Sequence, residues 1–266
     1  MISFPNAKIN LGLNVTNKRQ DGYHEIQSCL FPIPLRDILE IIPADTFSFK
    51  QTGLEIPDNG ANNLCVQAYE LLKSAHDLPP VAIHLHKVIP MGAGLGGGSA
   101  DCAFTLKLLN DIFTLGLNSG ELEGYAAQLG SDCPFFIKNI PALATGTGTT
   151  LAPFHVDLSA FHIALIFPGV HIGTKEAYAG LTPKQPDNIL EATIGGNIKH
   201  WQQQLVNDFQ PAAANNHENI RKALETMGQA DAIYYAMTGS GSTVYGLFDH
   251  LPDSATFDFT GSLDDL

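Results

Sequence analysis

"PMGAGLGGGSAD", Pro90 to Asp101, places five glycines in the seven residues from Gly92 to Gly98. Each glycine costs about 0.5–1 kcal/mol of extra backbone entropy relative to alanine, so a run this dense needs a physical reason. The flanks supply one. "VAIHLHKVI" (81–89) alternates like a half-buried strand, and beyond the glycines Cys102, Leu106, Leu109 and Phe113 recur on one helical face. The glycines therefore join a strand to a helix, where bare N–H groups and the positive end of the helix can meet an anion such as a phosphate chain. Ser99 is placed to cap that helix or to meet Mg²⁺ or a phosphate oxygen, and Asp101 in the first turn suits the helix dipole.

Two other glycine loops fit less well. Gly92, Gly94 and Gly97 match G-x-G-x-x-G literally, but the dinucleotide fingerprint follows a buried apolar strand. Here the strand carries His84, His86 and Lys87, and the loop opens on Pro90. A Walker loop needs Gly-Lys-Ser/Thr, and no lysine precedes Ser99. A phosphate cradle of another type remains.

The rest of the chain is consistent with that. Its 266 residues, 44% hydrophobic and 15% charged, predict a folded chain of one large or two ordinary domains. A net charge of −13 with only 14 lysines and arginines argues against a nucleic-acid face, which needs clustered positive charge. No apolar run approaches the roughly 18 residues of a membrane helix. The opening "MISFPNAKINLGLN" lacks a basic-then-apolar leader. Cys29, Cys65, Cys102 and Cys133 form no C-x-x-C pair, as expected of reduced thiols in a cytoplasm. His84 and His86 share a strand face, but no further ligand stands at metal-binding spacing.

"AKINLGLNV" (7–15) and "DILEIIPA" (37–44) read as strands, and "NNLCVQAYELLKSAHDL" (62–78) as a helix with Leu64, Ala68, Leu71 and Ala75 on one face. A third helix runs from Ser119 to a cap at Gly130, followed at once by "SDCPFF". "FHIALIFPG" (161–169) reads as a strand, 187–208 and 211–228 as helical, and "AMTGSGSTVYGLF" (236–248) as a turn plus strand. A boundary near Pro153 divides the chain into 1–153 and 154–266. Strands that alternate polar with apolar, mixed with helices without strict alternation, predict α+β over a doubly wound fold.

"PxxxGLGGGSAD" resembles the ATP-binding motif of the GHMP kinase superfamily, which includes galactokinase and the homoserine, mevalonate and phosphomevalonate kinases. Further stretches narrow the resemblance: "NAKINLGLNVTNKRQDGYHEIQS" (6–28), "NNL" (62–64), "LGSDCPFF" (129–136), "PGVHIGTKEAY" (168–178), "NDF" (207–209) and "TGSGSTVYG" (238–246). In that order they resemble the branch that phosphorylates the 2-hydroxyl of 4-(cytidine 5′-diphospho)-2-C-methyl-D-erythritol in the non-mevalonate isoprenoid route. They run through nearly the full chain, and the DGYH element is the most specific of them.

The resemblance implies a GHMP kinase fold, with an N-terminal α/β ATP-binding domain, a C-terminal ferredoxin-like domain and substrate in the cleft between them. It implies ATP and Mg²⁺, and ATP binding by Pro90, Met91, Gly92, Ala93, Gly94, Leu95, Gly96, Gly97, Gly98, Ser99 and Ala100. Asn63 and Lys87 would lie on the adenosine side, with Ser99 toward the metal. Lys8, otherwise readable as a solvated strand residue, becomes the lysine that stabilises the reacting oxygens. Asp132, otherwise readable as a helix N-cap, becomes the catalytic aspartate, either a base or an orienter of the hydroxyl. Asn10, on the same strand face as Lys8, is a candidate for the substrate's diol or diphosphate. Tyr23 and His24 resemble the cytidine-recognising elements. Tyr178, four residues after Thr174, matches the second stacking aromatic, where phenylalanine is more familiar; both are expected to bind substrate. Outside this context Tyr23 and Tyr178 would be packing or surface aromatics.

"TGSGST" (238–243) resembles the third superfamily motif, although a plain hairpin turn reads nearly the same. Thr149 stands where glutamate is frequent, so that segment is not read as metal-binding. The expected partner is a small molecule, with no nucleic acid, membrane or obligate protein partner. A sister kinase without a cytosine pocket and a nicotinamide oxidoreductase with the loop in a parallel βαβ unit are the rival readings.

Overall fold

Within "AKINLGLNV" the polar residues fall on alternate positions, yet the strand they build is buried on both faces from Asn6 to Val15. The computed structural model describes residues 1–55, 62–179, 181–186 and 189–265. Its strands are β1 (Ile2–Ser3), β2 (Asn6–Lys18), β3 (His24–Arg36), β4 (Ile38–Pro43), β5 (Ser48–Gly53), β6 (Val81–Lys87), β7 (Ala142–Thr145), β8 (Thr150–Pro153), β9 (His162–Ile166), β10 (Tyr234–Met237), β11 (Val244–Phe248) and β12 (Phe259–Ser262). Its helices are α1 (Leu64–His76), α2 (Gly97–Ile112), α3 (Ser119–Leu129), α4 (Phe135–Lys138), α5 (Thr174–Ala179), α6 (Leu190–Ile194), α7 (Trp201–Gln204), α8 (Gln210–Asn216) and α9 (Glu218–Gln229). The strands make three four-stranded sheets, in the orders β1-β4-β6-β5, β2-β3-β7-β8 and β10-β11-β9-β12. β5 and β6 run parallel, with α1 in the connection between them. The strand after α2 is β7, which pairs with β3 and β8 rather than with β6. The glycine run therefore lies outside any parallel βαβ unit, and the α+β expectation holds.

The chain forms two compact units that alternate along the sequence. One comprises Met1–Ala7, Leu35–Met91 and Gly96–Ile140; the other comprises Lys8–Pro34, Gly92–Leu95 and Pro141–Leu266. Backbone pairing gives the reason: Leu13 N–H donates to Val206 (2.8 Å), Asp208 N–H returns to Leu13 (2.9 Å), and Val15 N–H donates to Asp208 Oδ2 (2.8 Å). These bonds fasten β2 to the C-terminal part of the chain.

In the first unit β6 buries Val81, Ile83, Leu85 and Lys87 and leaves Ala82, His84 and His86 half-buried, the expected period of two. α1 turns Cys65, Ala68, Tyr69 and Leu72 inward, and α2 does the same with Ala103, Leu106 and Leu109. Each buried leucine stabilises this layer by about 1.5–3 kcal/mol. Asn118 and Glu121 close a capping box at the start of α3, worth about 1 kcal/mol. Asn63 caps α1 by accepting the Cys65 N–H at 2.8 Å.

In the second unit α9 presents Ile220, Ala223 and Met227 to a core shared with Leu13, Phe209, Met237, Val244 and Phe248. The two long helical stretches expected here are broken. Gly195 caps α6, and Leu205 leaves α7 in extended backbone so that Val206 and Asp208 can bond to β2. His217, at φ −129° and ψ 106°, separates α8 from α9. Tertiary pairing overrides helical periodicity at both places.

Gly12 marks the tightest point of β2. Its φ is +67°, and a Cβ there would stand 2.6 Å from Leu205 Cδ1 and 2.9 Å from Leu190 Cδ1. Left-handed strain and overpacking act together, so Gly12→Ala is expected to lower unfolding free energy by about 2–4 kcal/mol. Urea titration checks this; an unchanged midpoint would refute it.

Candidate active site

Three of the loop's glycines, Gly92, Gly94 and Gly96, have φ values of +63°, +79° and +70°. Two of these also stand where neighbouring atoms leave no space. A Cβ at Gly94 would collide with the Thr238 carbonyl, and one at Gly92 would lie 2.6 Å from His171 Nδ1. Between them Ala93 and Leu95 point inward, only 7% and 1% exposed. Their carbonyls are engaged as well, Ala93 O by Thr243 N–H (3.2 Å) and Leu95 O by Lys8 N–H (2.9 Å). Two acceptors are thereby withdrawn from the loop surface, which favours an anion over a cation. Met91 is exposed and Pro90 half-buried.

α2 begins at Gly97, two residues before the expected start, and Gly96 rather than Ser99 occupies the N-cap. Gly96 has no side chain to bond the first-turn N–H groups of Gly97, Gly98 and Ser99, so they face their surroundings uncapped. At Gly98 a Cβ would meet only Leu64 Cδ1, at 3.8 Å. An uncapped sixteen-residue helix beside a turn of left-handed glycines suits a phosphate chain.

Lys87 has a different place from the expected adenosine contact. It is 2% exposed, and its ammonium is bonded to Asp37 and, at 2.7 Å, to Asp101 Oδ2. Its charge is spent inside the first unit, on the junction between β6 and α2. Asp101 likewise is a buried ion-pair partner, beyond its expected role toward the dipole. Burial pushes its carboxyl up to about 7; Lys87 pulls it down and Asp37 pushes it up again. Lys87 itself is raised, because the attraction of Asp101 and Asp37 outweighs the burial that lowers it. Asp101 Oδ1 is buried without a hydrogen-bond partner among the described residues.

β2 carries a second network, in the other unit. Lys8, Asn10 and Asn14 alternate along the strand and are each 4–6% exposed. Lys8 Nζ donates to Asn10 Oδ1 (2.7 Å), and Asn10 Nδ2 donates to Ser28 Oγ (2.8 Å). The Thr238 hydroxyl lies 3.2 Å from Asn10 Oδ1 and 3.3 Å from Gly94 O, and it accepts the Asn10 N–H at 3.0 Å. Tyr245 donates to Asn10 O at 2.7 Å. Asn207 Nδ2 clamps the same turn through Met237 O (2.7 Å) and Gly239 O (2.9 Å). Asn10 thus has its amide engaged within the protein, where it fixes the Lys8 ammonium. "TGSGST" packs backbone to backbone against the glycine loop, with Gly94 Cα 3.2 Å from where a Gly239 Cβ would stand.

Asp132 lies half-buried in the turn 131–134 between α3 and α4. It does not cap α4, whose N-cap is Pro134. The neighbouring Cys133 thiol receives hydrogen bonds from Cys102 and Ser99, which hold it below its usual range against the effect of burial. These bonds tie the Asp132 turn to the first turns of α2, and they give the Ser99 hydroxyl a protein partner.

Among the aromatics, His24 stacks on Tyr178 with ring centroids 4.6 Å apart and planes 17° apart, while Phe209 meets Tyr178 edge-on at 4.9 Å. Tyr23 is 67% exposed, in a turn held by Asp21. Thr174 opens α5; its side chain lies outside the described residues. His84 and His86 share the Thr52 hydroxyl, at 3.0 and 2.9 Å, and no group of three metal-ligating side chains gathers among the described residues. Sequence reasoning missed Asp37, Tyr245 and His171 as individual residues, whose partners lie far away along the chain, whereas Thr238 entered within "TGSGST". No described helix is long and apolar enough to cross a membrane.

Comparison with known proteins gives the family. Residues 63–139 match the GHMP kinases N terminal domain and residues 189–257 the GHMP kinases C terminal domain. The 4-diphosphocytidyl-2-C-methyl-D-erythritol kinase of Cytophaga hutchinsonii is 49% identical over 255 residues, covering 96% of this chain and 94% of that protein. A crystal structure of 4-(cytidine 5′-diphospho)-2C-methyl-D-erythritol kinase superposes with a TM-score of 0.81 at 31% identity, covering 93% of this chain and 90% of that one. The homoserine kinase of the same Cytophaga species reaches 0.60 at 15% identity, covering 94% and 86%, a likeness of fold alone.

The buried carboxyl has a consequence for stability. Asp101 is raised from an ordinary 3.8 to about 7, so the folded chain holds its proton more tightly than the unfolded chain does. Its contribution is therefore complete below about pH 4 and is lost as pH rises toward about 7. Urea unfolding of wild type and Asp101→Asn across that window should give a stability difference that shifts against wild type with rising pH, by at most about 1.4 kcal/mol per pH unit. A difference that stays flat would contradict the assignment.

Proposed function

The chain belongs to the 4-diphosphocytidyl-2-C-methyl-D-erythritol kinases of the GHMP superfamily, and from that premise we propose how its own residues carry the reaction. It is an ATP-dependent kinase of the non-mevalonate isoprenoid route, and its acceptor is the 2-hydroxyl of 4-(cytidine 5′-diphospho)-2-C-methyl-D-erythritol. The observation that carries the reading is the bonding of Lys8 Nζ to Asn10 and of Thr238 to both Asn10 and the Gly94 carbonyl. One network thereby sets the ammonium and the glycine loop together.

Phosphoryl transfer needs positioning and charge neutralisation more than covalent help. The N–H groups of Gly97, Gly98 and Ser99, with the positive end of α2, hold the triphosphate. Lys8 neutralises charge on the oxygens of the transferring group. The acceptor oxygen forms its bond to the γ-phosphorus as the β–γ bridging bond breaks and ADP leaves. Asp132 orients the hydroxyl and takes its proton. Mg²⁺ would be held through the phosphates with the Ser99 hydroxyl beside it, and when bound it neutralises the β- and γ-oxygens. Tyr178 gives the cytosine a ring face, and His24 and Tyr23 complete the pocket with Thr174. The substrate is a small molecule; neither the charge balance nor the motifs call for nucleic acid.

Lys8→Ala and Asp132→Asn should each lower kcat by at least about 10²-fold, the range for electrostatic and acid–base groups. The assay is ATP consumption with the cytidylated alcohol, with mass analysis of the product. Near-normal turnover in either variant removes that residue from the mechanism. Tyr178→Ala should raise KM for the cytidylated alcohol by about tenfold or more, since base stacking contributes about 1–3 kcal/mol. An unchanged KM would move the cytosine elsewhere.

A further inference from the structure

Asp37 lies in the single-residue step between β3 and β4, and no motif singles it out. Its carboxylate is nevertheless fully buried and bonded on both oxygens. Oδ1 accepts the N–H groups of Val88 (2.6 Å) and Ile89 (2.8 Å), the two residues that follow β6. Oδ2 accepts the Lys87 ammonium, which in turn reaches Asp101 Oδ2 on α2 at 2.7 Å. Asp37's own N–H is held by Pro5 O at 2.8 Å, so its backbone is fixed too.

These bonds grip the chain where it enters the glycine loop and, through Lys87, where it leaves. The exit is close-packed: a Cβ at Gly97 would stand 3.0 Å from Lys87 Nζ and 2.8 Å from Ile89 Cγ2. Apolar side chains of similar volume could fill this space without any charge to desolvate. They could not bond two successive backbone N–H groups, nor link that segment in a fixed direction to the first turns of a helix. The direction is what an anion cradle needs, because its N–H groups must converge on one place.

We infer that Asp37 is a positioning residue for nucleotide binding, fixing the residues that lead into the glycine loop and, through Lys87, the first turns of α2, so that the N–H groups of α2 are aimed at the triphosphate. The inference rests on the reading of that loop as the ATP site.

The test compares full-length wild type, Asp37→Asn, Lys87→Met, the double variant and Asp101→Asn. Calorimetry would give the affinity of each for a non-hydrolysable ATP analogue with Mg²⁺ and, separately, for cytidine 5′-diphosphate. Circular dichroism would report folding. Asp37→Asn keeps an oxygen for Val88 and Ile89 but sets an amide against the Lys87 ammonium. It should weaken the ATP analogue about tenfold and leave cytidine 5′-diphosphate within about twofold. The double variant should bind the analogue no more weakly than Lys87→Met, because the aspartate then has no ammonium to hold. A folded Asp37→Asn protein with wild-type affinity for the analogue, or with both ligands weakened in parallel, overturns the inference. Should Asp37→Asn not fold, Asp101→Asn decides: tenfold weaker analogue binding supports the inference, and unchanged binding overturns it. Failure of wild type to phosphorylate the cytidylated alcohol would count against the proposed function alone, since the binding comparison does not depend on turnover. Failure of wild type to bind the analogue would overturn both.

Discussion

The buried ammonium of Lys87, shared by Asp37 and Asp101, is the constraint around which the glycine-rich segment of this chain is arranged. Taking three ionised groups out of water costs several kcal/mol for each ion, and their mutual attraction offsets that only when the geometry is good. One cation between two carboxylates leaves an excess negative charge, and the structure shows the strain of it. Asp101 Oδ1 lacks a partner among the described residues, and the Asp101 carboxyl is pushed up to about 7, by burial first of all. The arrangement is therefore not one chosen for stability alone. What it gives is direction: a backbone segment on one side and a helix start on the other, held by bonds that tolerate little displacement.

The network at Lys8 works on a different principle. Its ammonium is fixed by an amide oxygen, and that amide is fixed by Ser28 and by the Thr238 turn. Ser28 in turn donates to Gly12 O at 2.6 Å, so the hydroxyl has both its roles fulfilled. In a chain with 14 lysines and arginines against 27 acidic residues, placing a cation matters more than possessing many. The polar row on β2 does this with neutral side chains, each nearly as buried as the apolar residues around it. Such a network is costly when incomplete. Here the bonds of Asn10 run to Lys8, Ser28, Thr238 and Tyr245.

Much of this was legible beforehand, and the parts that were not share a cause. β6, α1 and α3 follow from local periodicity and caps, and they appear within two or three residues of where the pattern puts them. The glycine run was read as a strand-to-helix loop, which it is, and Lys8, Asp132 and the DGYH segment entered through resemblance. Sequence could not show why Gly92 and Gly94 are glycine, because His171 and Thr238 are more than seventy residues away. Asp37 had no local mark at all: its partners Lys87 and Ile89 lie 50 and 52 positions along the chain. Lys87 entered through resemblance, on the adenosine side, and only the fold brings two carboxylates to its ammonium. The helical stretches failed where Leu205 to Asp208 turn to pair with β2, a long-range contact that overrides periodicity.

The aromatic pair His24–Tyr178 is an interaction of small energy. An offset stack such as that of His24 on Tyr178 is worth about 0.5–1.5 kcal/mol beyond the area it buries, whereas a nucleobase on an aromatic ring contributes about 1–3 kcal/mol. His24 stacks on the Tyr178 ring, and Phe209 meets that ring edge-on. Stacking cannot choose among bases, because every base offers a π-face. Selectivity for one base has to come from hydrogen bonds at the base edge, and a neutral imidazole carries both a donor and an acceptor for such a contact.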